Sequence, residues 1–380
     1  MPGYRTHLAV TLLCAALVVW LSSCASEQTD TAPSTTPAIW TIFRGDPHLR
    51  GSAEGSLPDS LTLSWSAKTD GPVVSSPVMD GKRIYIGSLD GFLYAIDIES
   101  GVVAWKFKAG RGIEAPPLYH HGRVYVGDLT GEMFAVDARS GHAIWSYKAS
   151  DKIVGSANRL PGDKLLFGSH NDTLYCLDMR DGAVQWAYET GSYINGSPAT
   201  DGERIVLGGC DEIVHVLDAA SGTELGMVEA GSYIAGSMAM DNARAFVAHY
   251  GNVLMCVNLD TPSVVWEFEA GDAFFASPAV TDSLVIAPAR DAVVYGVSRA
   301  DGSLEWTSTA GGSIDSSPVV CGDKIVFGCD DGKVYLLSLA DGTVIDTYDV
   351  GGRITASPAV GGGMIALGDQ NGFVYLFNRR

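Results

Sequence analysis

Positive charge and helical periodicity are both scarce in this sequence. Its 380 residues include 25 lysine and arginine residues against 44 aspartate and glutamate residues, a formal net charge of −19. Nucleic-acid binding requires a basic surface, so this balance argues against a nucleic-acid partner and against lying flat on an anionic membrane. No long stretch carries apolar residues at helical spacing, so the sequence predicts an all-β fold.

Motifs for metal, redox and hydrolytic chemistry are also missing. Two of the seven cysteines, Cys14 and Cys24, lie near the N-terminus, and the other five have unrelated spacings. No CxxC pair, adjacent cysteine pair, GxSxG motif or phosphate loop occurs, and the spacings of the eight histidines match no metal motif. We therefore predict no catalytic residue, no metal site and no enzymatic activity.

Long apolar runs are limited to one, near the start of the chain. Residues 8–21 are apolar apart from Thr11, which is too short to cross a bilayer and typical of a signal-peptide core. The run ends in Leu21-Ser22-Ser23-Cys24, which resembles a bacterial lipobox, in which the cysteine is lipidated and becomes the new N-terminus. The alternative is an ordinary signal peptide cleaved near Ala25, with Cys24 incidental. We predict a lipoprotein signal peptide over residues 1–23.

The residues after this run indicate a tether and a location. Residues 24–39 are mainly Ser, Thr, Pro and Ala, which cannot form a packed core. We predict a flexible tether there and one domain over residues 40–380. By resemblance to lipoprotein sorting in Gram-negative bacteria, Ala25 after the lipidated cysteine implies an outer-membrane lipid anchor. The expected location is therefore the cell envelope, with the domain facing the periplasm.

A repeat of about forty residues organises the rest of the chain. The pattern Ala-x-Asp-x3-Gly-x3-Trp ends at Trp105 and returns at Trp145, and its tryptophan column falls at residues 65, 105, 145, 186, 226, 266, 306 and 346. Each repeat holds four short runs rich in Ile, Val, Tyr and Trp, separated by turn pairs such as Asp80-Gly81. Four antiparallel strands per repeat predict one β-propeller blade.

The two ends of the chain set the number of blades. The last repeat has three strand-like runs, because its tryptophan position would fall beyond Arg380, and residues 61–65 supply an unpaired strand near the start. Pairing these ends closes the ring and removes its exposed edges. We predict an eight-bladed β-propeller of four-stranded antiparallel blades, closed by N- and C-terminal strands that share the last blade.

The repeated residues have structural explanations. The Asp starts a turn, the Gly allows a positive φ, and the Trp is suited to packing between neighbouring blades. A second glycine column ends the second strands. Ala248 and Pro288 replace that glycine in the fifth and sixth repeats, so we expect those turns to differ.

The repeat resembles the quinoprotein-type (PQQ-like) repeat, as does the segment Trp40-x-x-Phe43-Arg44-Gly45-Asp46-Pro47 before the first blade. The resemblance covers Trp40 to Arg380. Two branches share it: the pyrroloquinoline-quinone (PQQ) dehydrogenases, and non-enzymatic lipoproteins similar to BamB of the outer-membrane β-barrel assembly machinery. The lipobox, the short ring and the missing adjacent cysteine pair imply the second branch.

Polar residues at the mouth of the central channel are the first candidate site. The residue after the isoleucine of the repeated Ile-x-x-Ser-Pro is Glu114, Asn195 or Asp315 in three of the blades, and such oxygen ligands suit Ca²⁺. The quinone dehydrogenases use a similar trio with their cofactor, so the resemblance implies PQQ with Ca²⁺ as a minor alternative. The ring spreads these residues over blades 2, 4 and 7, so we expect a polar channel lining and no cofactor.

Residues just before this isoleucine form the second candidate, an interaction rim. They are Arg111, Asp151, Lys152, Tyr193, Tyr233, Asp272 and Arg353. Aromatic and arginine side chains favour protein contacts, so Arg111, Tyr193, Tyr233 and Arg353 are the predicted interaction residues. The alternative is a rim that is merely solvated.

Three functions stay open at this point. The first is a non-catalytic scaffold that binds other envelope proteins, including the β-barrel assembly machinery, as the resemblance to BamB implies. The others are an extracytoplasmic ligand-binding or sensing propeller and a small PQQ-dependent oxidoreductase. The repeat is specific for fold and does not by itself decide among these functions.

Overall fold

A computed structural model describes residues 39–379, and every regular element in this range is a β-strand. The predicted signal peptide, the predicted lipidation site Cys24 and the tether up to residue 38 lie outside the described residues. Within the described range, no helix could span a membrane.

The strands form eight antiparallel blades, preceded by a short segment. That segment holds β1 (Ile39–Trp40) and β2 (Ser52–Ala53), and it is followed by β3 (Leu63–Lys68). Blade 1 is β4 (Val78–Asp80), β5 (Arg83–Gly87), β6 (Phe92–Asp97) and β7 (Val103–Lys108). Blade 2 is β8 (Leu118–His120), β9 (Arg123–Gly127), β10 (Glu132–Asp137) and β11 (Ala143–Lys148). Blade 3 is β12 (Asn158–Leu160), β13 (Lys164–Ser169), β14 (Thr173–Asp178) and β15 (Val184–Glu189). Blade 4 is β16 (Ala199–Thr200), β17 (Arg204–Gly208), β18 (Ile213–Asp218) and β19 (Glu224–Glu229).

The second half of the ring continues in the same order. Blade 5 is β20 (Ala239–Asp241), β21 (Arg244–Ala248), β22 (Val253–Asn258) and β23 (Ser263–Glu269). Blade 6 is β24 (Ala279–Val280), β25 (Leu284–Pro288), β26 (Val293–Ser298) and β27 (Leu304–Thr309). Blade 7 is β28 (Val319–Cys321), β29 (Lys324–Gly328), β30 (Lys333–Ser338) and β31 (Val344–Asp349). Blade 8 holds β32 (Ala359–Gly361), β33 (Met364–Gly368) and β34 (Phe373–Phe377), with β3 as its fourth strand.

The pairing of β3 with β34 closes the ring. The two strands are antiparallel, with Leu63 opposite Phe377 and Lys68 opposite Phe373. The first strand of blade 8, β32, also contacts β4 of blade 1 at the centre of the ring. The predicted eight-bladed propeller with a shared last blade is therefore confirmed.

The tryptophan and glycine columns of the repeat meet between neighbouring blades. The Nε1 atom of Trp65, in blade 8, donates a hydrogen bond to the carbonyl oxygen of Ile98 in blade 1, at 2.9 Å. The ring of Trp65 also covers Gly101, where an added Cβ would come within 2.8 Å of the indole. Trp105 repeats both contacts with Ala138 and Gly141 of the next blade. The repeat glycine is thus needed for its positive φ and for the space that the tryptophan fills.

The glycines that end the second strands have a different role from those in turns. An added Cβ at Gly87 would lie 2.2 Å from the Ile113 side chain of the next blade. Glycine is therefore needed in this column because neighbouring blades approach closely there, and not because the backbone requires a positive φ. In blades 5 and 6, the strands β21 and β25 still end at Ala248 and Pro288. The turns that follow keep the backbone hydrogen bond that Ser88 donates to Phe92 in blade 1, here from His249 to Val253 and from Ala289 to Val293, so the expectation that these turns differ is wrong.

Substituting the repeat glycine tests the interblade contact. Gly141 has a φ of 74°, and its added Cβ would lie 2.7 Å from the Trp105 ring, whereas Gly231 has a similar φ of 77° and open space around it. We expect Gly231→Ala to cost about 1 kcal/mol of unfolding free energy, from backbone strain alone. Gly141→Ala should cost about 1–3 kcal/mol more, because it also overpacks the contact. Equal midpoints of urea unfolding for the two variants would contradict the proposed role of the tryptophan.

The segment before the ring lies across one end of the central channel, and we call Ile39–Ala53 the floor segment. Its strand β1 pairs with β4 of blade 1, and β2 pairs in parallel with β28 of blade 7. In the part between β1 and β2, carbonyl groups of the floor segment accept hydrogen bonds from the innermost strands of blades 2 to 6. The donors are Tyr119, Asn158, Thr200, Met240 and Val280. The floor segment therefore ties most of the ring together from one side.

Arg44 is the buried centre of this floor segment. Only 1% of its surface is exposed, and its Nη1 and Nη2 atoms donate to the carbonyl oxygens of Pro318 and Pro278, at 2.6 and 2.7 Å. Burial lowers the pKa of Arg44 to about 9, and nearby Asp46 partly offsets this effect, so the guanidinium stays charged at neutral pH. Gly51 leaves room for it, since an added Cβ there would come within 2.0 Å of Nη2.

Candidate interaction site at the channel mouth

The channel is a cup that opens at the end opposite the floor segment. Its cavity measures about 240 Å³, and Phe43 of the floor segment lines it. Besides the serines of the Ser-Pro position, the wall contains the residue that follows the repeat isoleucine, and this isoleucine is replaced by Val73 in blade 1 and by Phe274 in blade 6. These wall residues are Val74, Glu114, Val154, Asn195, Ala235, Phe275, Asp315 and Thr355. One position per blade therefore supplies the chemistry of the cup.

A belt of serines holds this wall rigid. From Ser156 in blade 3 onward, the backbone N–H of the serine at the Ser-Pro position of the repeat donates to the hydroxyl of the serine in the next blade, as from Ser197 to Ser237 at 2.7 Å. Blade 2 has Pro116 at this position, so the belt is open there. The belt continues to Ser357, which donates to Ser76 across the closure of the ring. These hydrogen bonds are buried and join neighbouring blades, so they stabilise the wall of the cup from blade 3 round to blade 1.

The three predicted channel residues, Glu114, Asn195 and Asp315, all line the same cup. Asp315 is held by Arg290, whose Nε and Nη2 atoms each lie 2.8 Å from one carboxylate oxygen. The hydrogen bond to Asp315 raises the pKa of Arg290, so the guanidinium is charged at neutral pH. The amide nitrogen of Asn195 contacts Cys210 Sγ at 3.1 Å. Asn195 and Asp315 are therefore already engaged by other side chains of this protein.

Aromatic side chains extend the mouth across blades 5 and 6. Tyr233 stacks on Tyr250 with ring centroids 4.3 Å apart, and Tyr250 meets Phe275 edge to face at 5.4 Å. The guanidinium carbon of Arg290 lies 3.4 Å from the centroid of Phe275. Partial burial, and then the hydrogen bond with Tyr250, raises the pKa of Tyr233 to about 12, so it remains a neutral phenol. Tyr233, Tyr250, Phe275 and Arg290 therefore form one row of contacting side chains, three aromatic rings followed by a guanidinium.

The other predicted rim residues fall into different surroundings. Tyr193 is 48% exposed and stacks on His170 with centroids 5.0 Å apart. Arg353 bonds to Asp330 at 2.5 Å and lies 3.8 Å from Asp315, so it belongs to the charged end of the mouth. Arg111 is exposed on blade 2, outside this row.

Sequence reasoning missed half of the mouth. A second column of residues lies two positions after the glycine column of the second strands and faces the predicted rim column. Its backbone N–H groups donate to that column, as from Tyr250 to Tyr233. The members of this second column are Leu89, Leu129, His170, Cys210, Tyr250, Arg290, Asp330 and Gln370. The sequence does mark this column, because the residue type varies from blade to blade at this position while the neighbouring positions repeat. The column has leucine in blades 1 and 2 and no aliphatic residue in blades 3 to 8, where Tyr250, Arg290 and Asp330 supply an aromatic ring and two charges, so the mouth is one-sided.

Fold and repeat together define an eight-bladed propeller of PQQ-like repeats that resembles BamB. The family model described as "Outer membrane protein assembly factor BamB" matches residues 58–160. The family model described as "Beta-alanine-activating enzyme, beta-propeller" matches residues 113–380. The chain therefore belongs to this second family of β-propellers. No functionally curated protein matches the sequence significantly.

Solved structures agree on the architecture. BamB from Moraxella catarrhalis superposes with a TM-score of 0.71 at 21% identity, covering 84% of this chain and 100% of that one. The quinohemoprotein alcohol dehydrogenase from Comamonas testosteroni gives a TM-score of 0.76 at 12% identity, over 92% of this chain and 82% of that one. The computationally designed protein Ika8 gives a TM-score of 0.74 at 14% identity, over 85% of this chain and 100% of that one. At these identities the likeness establishes the fold, and function must be argued from the site.

Proposed function

We propose that this protein is a non-catalytic scaffold that binds another protein of the cell envelope through its channel mouth. The observation that carries the proposal is the row Tyr233, Tyr250, Phe275 and Arg290, with Tyr193 beside it; we call these five residues the mouth cluster. Aromatic and arginine side chains in a partly exposed row are the composition of protein-binding hot spots. Tyr193 and Tyr250 are 48% and 42% exposed, so a partner can bury them.

The same residues do not fit a quinone with Ca²⁺. A Ca²⁺ ion needs several free oxygen ligands, and both oxygens of Asp315 are engaged by Arg290. The positive guanidinium also stands where a cation would approach Asp315. We therefore propose that the chain works without PQQ and is not a dehydrogenase, in spite of the fold that it shares with one.

The proposed partner is a subunit of the outer-membrane β-barrel assembly machinery or a protein that this machinery handles. Three features support this role: the family match to BamB over residues 58–160, the structural likeness that covers all of the BamB chain from Moraxella catarrhalis, and the sequence motif ending in Cys24 that resembles a lipobox. In this proposal the lipid on Cys24 anchors the chain in the outer membrane, and the propeller faces the periplasm.

Photocrosslinking in intact cells tests the proposed binding surface. A photoreactive amino acid at Tyr250 should capture a barrel-assembly subunit, whereas the same amino acid at Leu89, the equivalent position in blade 1, should not. Equal capture from both sites would contradict binding at the mouth cluster. Capture of unrelated proteins only would contradict the assembly role.

Substituting one aromatic residue measures how much the mouth cluster contributes to binding. Loss of a hot-spot aromatic costs at least about 2 kcal/mol, so Tyr250→Ala should weaken the captured complex by roughly 30-fold or more. Because Tyr250 is exposed, the urea midpoint of the variant should stay near that of the unsubstituted protein, which separates lost binding from lost folding.

A second candidate function is recognition of a small polar ligand inside the cup, in the manner of a sensing propeller. The closed floor and the volume of about 240 Å³ favour it. Glu114→Gln distinguishes the two functions. It should change thermal stabilisation by small cationic ligands and leave protein capture from Tyr250 unaltered.

A further inference from the structure

Two histidines and an aspartate converge at the end of the propeller opposite the mouth. His120 ends β8 of blade 2, His121 follows it in the turn, and Asp163 lies in the equivalent turn of blade 3. One ligand atom from each residue lies within 4.8 Å of the others, and His120 Nε2 is 3.3 Å from Asp163 Oδ1. The rings of His120 and His121 have centroids 4.0 Å apart. In the described part of the chain, no other such group of three His, Cys, Asp or Glu residues occurs.

The single irregularity of the repeat creates this juxtaposition. The tryptophan column advances by 40 residues at every step except from Trp145 to residue 186, where it advances by 41. The extra residue lies in the turn between β12 and β13, which has three residues, 161–163, where blade 2 has the two residues 121–122. Asp163 is the last residue of this longer turn, beside His120 of the preceding blade.

Both turns also hold non-glycine residues in a strained backbone conformation. His121 has a φ of 47°, at a position where Gly81 and Gly202 take φ values of 92° and 93° in their blades. Asp163 has a φ of 55°. A left-handed conformation costs about 1–2 kcal/mol for most residues with a side chain, and less for aspartate. Asn242 takes the same conformation at the equivalent position of blade 5, with a φ of 54°, so the conformation belongs to this turn. In blade 2 the residue that adopts it is a histidine, whose ring lies next to Asp163.

We propose that His120, His121 and Asp163 form a binding site for a divalent transition metal of the Zn²⁺ type. Two imidazoles and one carboxylate are ligands that Zn²⁺ accepts, and a tetrahedral ion leaves its fourth position to water or to a partner's side chain. Tetrahedral Zn²⁺ needs ligand atoms roughly 3.3 Å apart. The ligand atoms lie up to 4.8 Å apart, so some of them must move closer together to bind the ion. His121 and Asp163 are exposed, so their side chains can move towards the less exposed His120.

A metal at this site would bridge blades 2 and 3 beside the floor segment. Tyr119, the neighbour of His120, donates its backbone N–H to the carbonyl oxygen of Thr41 in the floor segment. The ion would therefore link two blades and fix the strand that anchors the floor segment. Binding to the folded state alone would raise the stability of the ring in proportion to metal concentration.

Thermal unfolding with added Zn²⁺, together with calorimetric titration, tests the site. Protein without a polyhistidine tag, treated with chelator, should gain a saturable rise in Tm on adding Zn²⁺. Co²⁺ should give the visible absorption of a tetrahedral complex. Absence of binding by calorimetry, or binding without any rise in Tm, would overturn the proposal.

The variant His121→Gly gives the sharpest result. It restores the glycine that the turn has in other blades, so in metal-free protein its Tm should equal or exceed that of the unsubstituted protein. The same variant should lose the response to Zn²⁺, as should Asp163→Asn. The matched control His142→Ala removes an exposed histidine elsewhere in blade 2 and should keep the response. Unchanged Zn²⁺ affinity in His121→Gly would refute the site.

Discussion

Replacing Arg44 with alanine should lower the free energy of unfolding by about 3–5 kcal/mol, because two buried carbonyl groups lose a charged donor and a cavity is left under the cup. Pro278 and Pro318 have these carbonyls, and they belong to adjacent blades of the ring. Lysine should not rescue the loss, since one ammonium cannot reproduce the fork of a guanidinium. The shift in the midpoint of urea unfolding measures the effect.

Arg50 provides the matched control for this substitution. It lies in the same floor segment, but its side chain is 42% exposed and pairs with Asp46 at 2.7 Å. Exposed ion pairs contribute about 0–1 kcal/mol, so Arg50→Ala should be nearly neutral. Limited proteolysis should also cut the floor segment in Arg44→Ala and spare it in Arg50→Ala. Equal effects of the two variants would show that Arg44 does not hold the floor in place.

Ending the chain after Gly372 should prevent the ring from closing. This deletion removes β34, in which Val374, Leu376 and Phe377 are fully buried and Tyr375 is 6% exposed. Burial of four such side chains contributes on the order of 6–12 kcal/mol, which is comparable with the whole stability of many proteins. It also leaves β3 and β33 with unpaired edges that favour aggregation. We expect insoluble protein, or soluble protein without a cooperative unfolding transition.

A shorter deletion controls for the loss of the terminus itself. Ending the chain after Asn378 keeps β34 and its pairing with β3. This variant should fold and unfold like the full chain, with a small loss because the backbone N–H of Arg379 donates to Ser64. Cooperative unfolding of the chain that ends after Gly372 would mean that seven blades suffice and that closure by the termini is dispensable.

Most of the fold could be predicted from the sequence because the same contacts recur in every blade. The Trp and Gly columns mark one interblade contact, repeated at intervals of forty residues, and the two incomplete ends leave one way to pair them. Periodicity of this kind survives the loss of individual members, as at Gly226 and Asp346, which occupy two tryptophan positions.

The candidate site could be predicted only in part. The channel residues and Tyr193, Tyr233 and Arg353 follow from repeat position, which places them on the correct end of the ring. The pairing of Arg290 with Asp315 does not follow, because the two residues belong to different blades and meet only after the ring has formed. The cluster of His120 with Asp163 was hidden for the same reason, since its members lie 43 residues apart.

The all-β architecture, the number of blades and their closure follow from the order of the residues, because these features depend on local strand patterns and on contacts that repeat. The folded ring, in contrast, decides that the floor segment lies across one end of the channel and that Arg44 holds it there. It also decides which off-pattern residues face one another. Such contacts occur once, between residues distant in the chain, so no period in the sequence records them, and only the closed ring brings them together.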